Sequence, residues 1–145
     1  MMTQIPWTYA TVESLTGGAL AALFTSQAGS SAWYRGGIVA YQESVIRRLL
    51  GIKEIDDYAD TELATALAQS SPIKAKAVIS TTGYIDHDYA YSIVVNNRCI
   101  AERILLTSDI LALPRSERQR HIAKFVLGKI QAITGDNRLT TAPAM

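Results

Sequence analysis

Glu13, Ser14, Leu15, Thr16, Gly17 and Gly18 follow one another between an apolar stretch and an amphipathic helix pattern. A strand-to-helix turn of this composition presents a hydroxyl and free backbone N–H groups to an anion. A helix opening near Gly17 has unpaired N–H groups and a positive dipole end. The paired glycines Gly17 and Gly18 let a phosphate, a carboxylate or a developing oxyanion approach closely. Ser14 is a candidate nucleophile, and a serine hydroxyl needs a base to activate it. The plainer alternative is that Ser14 or Thr16 caps the helix and the glycines serve packing. A second cluster is Asp86, His87 and Asp88. It offers an imidazole base oriented by a carboxylate, or a weak metal signal, but three adjacent loop residues converge poorly. A polar, solvent-exposed turn is the expectation there. His121 is expected at the surface or an interface, and Trp33 and Tyr34 in the core or a subunit contact rather than stacked on a base.

The elements that must position these residues follow from periodicity. Residues 7–12 are rich in aromatic and β-branched side chains and predict a first strand, broken by the glycine pair. Residues 19–24 suit a helix that ends by Gly29, and residues 36–41 predict a second, buried strand. Residues 43–50 predict a helix stopped by Gly51, and residues 52–58 an acidic loop. Asp60 or Thr61 caps a helix that runs to about Gln69. Residues 76–82 predict a third strand. Residues 89–95 and 99–106 predict a hairpin turning at Asn96-Asn97. Ser116 and Gln119 have capping-box spacing for a last helix running to about Ile133. The order β-α-β-α-α-β-β-β-α predicts a three-layer-like α/β sandwich with a mixed sheet, in one domain over residues 1–135. Residues 136–145 have no pattern and are expected to be a disordered tail. Ligand sites in such sheets sit outside the carboxyl ends of the strands, where the Ser14 turn falls.

Composition narrows the function. The chain has 145 residues, enough to bury a core without a disulfide or metal staple. Its net charge of +1 gives no support for a nucleic-acid groove. The nearest basic patch, Arg115, Arg118, Arg120 and Lys124, is expected to be a solvated helix face. Cys99 is the single cysteine and is expected as a small buried hydrophobe in its strand. No leader pattern and no membrane-length apolar run is evident, so a cytoplasmic location is expected.

Several stretches resemble the CinA C-terminal domain family, whose active members are nicotinamide mononucleotide deamidases. They are T-V-E-S-L-T-G-G (11–18), A-G-S-S-A-W-Y (28–34), G-G-I-V-A-Y (36–41), R-L-L-G-I (48–52) and V-I-S-T-T-G (78–83). The final helix, with Arg120 and Ala123, adds to them, and the similarity extends over about residues 8–133. The resemblance implies that Ser14 matches the family's proposed nucleophile, which attacks the carboxamide carbon and releases ammonia. It implies a substrate site of Thr16, Gly17, Gly18, Ser30, Ser31, Tyr41, Thr82 and Gly83. It implies no cofactor or metal.

The departures matter as much. The cysteine that follows the family's serine is Leu15 here. The family's A-Y-S-N-E-x-K carries a lysine that serves as base to the serine, and this chain has A-Y-Q-E-S-V-I, with Ile46 in its place. Isoleucine takes no proton. Arg47 is adjacent, but on a helix it points about 100° away and stays protonated. The family's long glycine-rich loop is cut to T-G-Y-I-D-H-D-Y-A-Y (82–91), so its substrate cradle and lysine are gone. The expectation is a degenerate member with weak or no deamidase activity. The alternatives are a non-catalytic module for a nicotinamide nucleotide or phosphate, or a structural homo-oligomer. The apolar composition, and a segment before the first strand too short for the family's leading helix, favour a homo-oligomer. No nucleic-acid or membrane partner is expected.

Overall fold

The computed structural model describes residues 6–140. Five strands form one mixed sheet: β1 (Tyr9–Glu13), β2 (Tyr34–Val39), β3 (Ala77–Gly83), β4 (Asp88–Val95) and β5 (Arg98–Leu105). Their order is β2-β1-β3-β4-β5. β1 is parallel to both β2 and β3, while β3, β4 and β5 are antiparallel. The helices are α1 (Ala19–Thr25), α2 (Glu43–Leu50), α3 (Thr61–Gln69), α4 (Ser108–Leu111) and α5 (Arg115–Thr134). The predicted α/β sandwich, with crossovers in its first half and a hairpin in its second, is the fold observed. The short helix α4 is an addition to the predicted order.

Alternation along the strands divides the interior into two apolar layers. Tyr9, Ile79, Tyr91 and Ile93 pack on one side with Leu20 and Phe24 of α1 and with Ile122, Val126 and Ile130 of α5. Val12 and Val78 pack on the other with Ile46 of α2 and with Leu63 and Leu67 of α3. Hydroxyls on the second face fasten α3 to the sheet. Ser80 donates to the Ala64 carbonyl, and Ser92 bonds Thr65 at 2.9 Å. Asp60 caps α3 by accepting from the Glu62 N–H at 3.0 Å, and Gly51 ends α2 in the left-handed region, both as predicted.

Four expectations are corrected. Helix α5 starts at Arg115 behind Pro114, so Ser116 lies inside it and no side chain caps it. Gln119 is drawn away from the predicted capping box to donate to the Leu15 carbonyl at 3.0 Å. The segment just after Gly135 is packed rather than disordered, at least to residue 140. The Tyr9 hydroxyl, at the edge of the core, needs a partner, and Asp136 accepts from it at 2.8 Å while Leu139 is fully buried. Residues 141–145 lie outside the described residues. Cys99 is exposed, because β5 is an edge strand and Cys99 sits beside the hairpin turn. The first two strands are shifted. β1 begins at Tyr9 and includes Glu13, and β2 ends at Val39, which leaves Ala40 and Tyr41 beyond its carboxyl end.

Candidate active site

The parallel strands β1, β2 and β3 all end on one edge of the sheet, and the Ser14 turn leaves from the middle one. The turn is held from several directions. The Ser14 N–H donates to the Thr81 carbonyl at 2.9 Å, and the Gly17 N–H donates back to the Ser14 carbonyl at 3.0 Å. Gln119 holds Leu15. Gly17 has a φ of 60°, and a side chain there would meet Gln119 Nε2 at 3.0 Å.

The glutamate before Ser14 decides the character of this turn. Glu13 is fully buried. Its carboxylate accepts from the Thr16 hydroxyl at 2.6 Å, from the Leu20 N–H at 2.8 Å and from the Ala21 N–H at 2.9 Å. Thr16 also bonds the Thr81 hydroxyl at 2.7 Å. The start of α1 is therefore already occupied by an anion of the chain's own. This corrects the expectation that unpaired N–H groups and a positive helix end await a ligand at Gly17 and Gly18. The local signal was available in the sequence: a carboxylate just ahead of a helix start complements the dipole.

Ser14 emerges on the opposite face. It lines a cleft of about 310 Å3 together with Tyr41, Glu43, Tyr58, Gly83, Tyr84 and Arg115. No hydrogen bond to the Ser14 hydroxyl occurs among the described residues. Gly83 closes the β3–β4 connection with a φ of 149°, where a Cβ would fall 2.4 Å from the Tyr89 Cα. Only glycine lets β3 approach the β4 backbone this closely in that conformation. Tyr84 is pinned, since its hydroxyl accepts from the Tyr58 N–H at 3.0 Å and the two rings meet edge to face at 5.8 Å. Burial and the nearby Glu43 carboxylate raise the Tyr58 hydroxyl above its ordinary pKa. The Arg115 guanidinium donates to the Tyr41 hydroxyl at 2.7 Å. Arg115 was expected on a solvated helix face. It is exposed, yet it stands on the wall of this cleft, and only tertiary folding brings residue 115 beside residue 14.

The other predicted site residues are dispersed. Thr82 is buried next to Gly83, and its hydroxyl lacks a partner among the described residues. Thr16, Gly17 and Gly18 line a separate cleft of about 360 Å3 with Ser116, Gln119 and Arg120. Ser30 and Ser31 form a 3-10 turn just before β2, at the end of the sheet where β1 begins, since the Tyr9 N–H donates to the Trp33 carbonyl at 2.9 Å. Within one chain they are thus at the opposite edge from Ser14. Ile46 is 1% exposed and packs in the second apolar layer. His87 is solvent-exposed in the β3–β4 turn, with Nδ1 2.9 Å from the Asp88 carboxylate, and is not among the residues lining the Ser14 cleft. Burial raises the Asp88 carboxyl, but hydrogen bonds from His87 and Arg103 outweigh it and hold the group below its usual range. No cluster of potential metal ligands occurs among the described residues.

The model of the CinA C-terminal domain matches residues 1–90. The chain belongs to the CinA C-terminal domain family. The nicotinamide-nucleotide amidohydrolase PncC of Escherichia coli K12 is 36% identical over 86 residues, which cover 59% of this chain and 48% of that protein. A CinA-like protein of Picosynechococcus is 39% identical over 74 residues, 51% of this chain and 18% of that one. The chain therefore spans about half or less of the length of these family relatives. A solved structure of a CinA superfamily protein from Klebsiella pneumoniae 700603 has the same fold, with a TM-score of 0.79, 17% identity, and coverage of 90% of this chain and 88% of the other. The family match ends within β4, so Arg115 lies beyond it, while the structural likeness covers 90% of the chain. Among the described residues, no helix is long and apolar enough to cross a membrane.

Proposed function

We propose that this CinA-family chain binds a nicotinamide nucleotide at the Ser14 cleft and has weak or no amidohydrolase turnover. The observation that carries this is the burial of Ile46, the residue at the position of the family lysine, in an apolar cluster, which leaves Ser14 without a base on that side. Loss of a general base costs about 10²–10⁴-fold in rate. The short β3–β4 turn removes substrate-positioning groups as well. His87 does not supply the missing base, because it is outside the cleft. An amidohydrolase identity for the E. coli relative, and the Ser14 turn shared with the family, support the ligand class.

The test is ammonia release from nicotinamide mononucleotide at high protein concentration, with Ser14→Ala as the control. The expected result is turnover at least about 10²-fold below an intact enzyme, with a ligand-dependent rise in melting temperature. Turnover at an ordinary enzymatic rate that disappears in Ser14→Ala would overturn the loss of activity. No melting shift at millimolar nucleotide would overturn the binding.

One observation favours self-association as a second reading. Val39, Tyr41 and Val45 are 49%, 51% and 46% exposed around the end of the edge strand β2. A second copy on this face would cover them, and light scattering that finds a monomer at high concentration removes it. A cytoplasmic location is in keeping with an exposed free thiol at Cys99.

A further inference from the structure

The Ser14 cleft carries one charge of each sign, and neither charged residue is among those assigned to the site from the sequence. Arg115 forms no ion pair among the described residues. Its hydrogen-bond partner is the Tyr41 hydroxyl, through one nitrogen. A guanidinium has five N–H donors, so most of this one is available to an anion, and its fork suits a phosphate. Among the described residues Glu43 is the only carboxylate lining the cleft, and its ion pair with Arg47 is loose at 3.8 Å. Beside it stand the rings of Tyr58 and Tyr84, fixed edge to face. Aromatic faces with a neighbouring carboxylate attract a cationic ring. At about 310 Å3 the cleft is at the low end of the roughly 300–1,000 Å3 of small-molecule sites, which suits a mononucleotide better than a dinucleotide.

We infer that the cleft is a bipolar receptor, in which Arg115 takes the phosphate and Glu43 with Tyr58 and Tyr84 takes a positively charged ring. The inference rests on the proposed ligand class and sharpens it. The oxidised nucleotide, with its pyridinium ring, is the ligand. The reduced form, whose dihydropyridine ring is neutral, is discriminated against.

Titration calorimetry with nicotinamide mononucleotide, its reduced form and nicotinamide riboside tests this. The wild-type chain should prefer the oxidised over the reduced nucleotide roughly tenfold, the scale of one contact to a charged group. Glu43→Gln should remove that preference by weakening the oxidised form alone. Arg115→Met should weaken both nucleotides roughly tenfold and leave the riboside unchanged, and Arg115→Lys should recover part of the loss. Both side chains are exposed, so the variants should melt as the wild type does. A preference that survives Glu43→Gln, or a phosphate dependence that survives Arg115→Met, overturns the inference while the proposed ligand class stands. Failure of all three ligands to bind at millimolar concentration overturns the proposed function and the inference together.

Discussion

Glu13 and Ser14 are neighbours in the chain and opposites in the structure. Strand alternation sends Glu13 to the α1–α5 side, where three hydrogen bonds enclose it, and Ser14 to the open cleft whose walls include Glu43 of α2 and Arg115 at the start of α5. The first fixes the turn and the second is left free. Their difference teaches that a helix start is not a vacant anion site once the chain supplies its own carboxylate. Ser14 consequently gains little from the dipole of α1, and the positive charge it faces comes from Arg115 instead.

The largest expected effect comes from breaking the Glu13 side. Glu13→Ala removes the carboxylate and leaves two backbone N–H groups and the Thr16 hydroxyl facing a hole. A buried donor left without its partner costs about 1–3 kcal/mol, and urea denaturation should read a loss of at least that scale. A change within about 0.5 kcal/mol, the range of ordinary surface substitutions, would mean that Glu13 is no more structural than Ser14.

A second expectation concerns pH on the same face. Burial raises the Asp136 carboxyl, but hydrogen bonds from Arg138 and Tyr9 outweigh this and hold it below the usual aspartate range. A folded-state pKa below the unfolded one means stability is fully present above the unfolded value of about 3.9 and is lost as pH falls through the folded one. Asp136→Asn should therefore flatten the acid limb of the stability curve. An unchanged limb would show that the Asp136–Tyr9 contact adds nothing to the fold.

The smallest expected effect on stability is at Ser14 itself. Its hydroxyl makes no hydrogen bond among the described residues, so Ser14→Ala should shift stability by less than about 0.5 kcal/mol. Its effect should appear only in ligand binding or turnover. A loss approaching that of Glu13→Ala would erase the contrast between the two residues.

Some of this was determined by the sequence alone. Period-two and helical patterns, Asp60, Gly51 and Asn96-Asn97 are local signals, and they defined the elements and their order because turns and caps are made by residues close in the chain. The family blocks around Ser14, Tyr41 and Gly83 marked three residues that do meet in one cleft. Other properties were decided by the tertiary structure. Arg115 meets Tyr41 on the cleft wall, Gln119 leaves its cap for Leu15, and Asp136 leaves the tail for Tyr9, across 74, 104 and 127 residues of chain. In all three a polar group finds its partner only once the sheet and helices have come together. Ser30 and Ser31 are the reverse case, since sheet direction carries them to the far edge although the motif grouped them with Ser14. The sequence names groups that need partners, and packing alone determines which distant groups come within hydrogen-bonding reach, because those bonds act over about 3 Å.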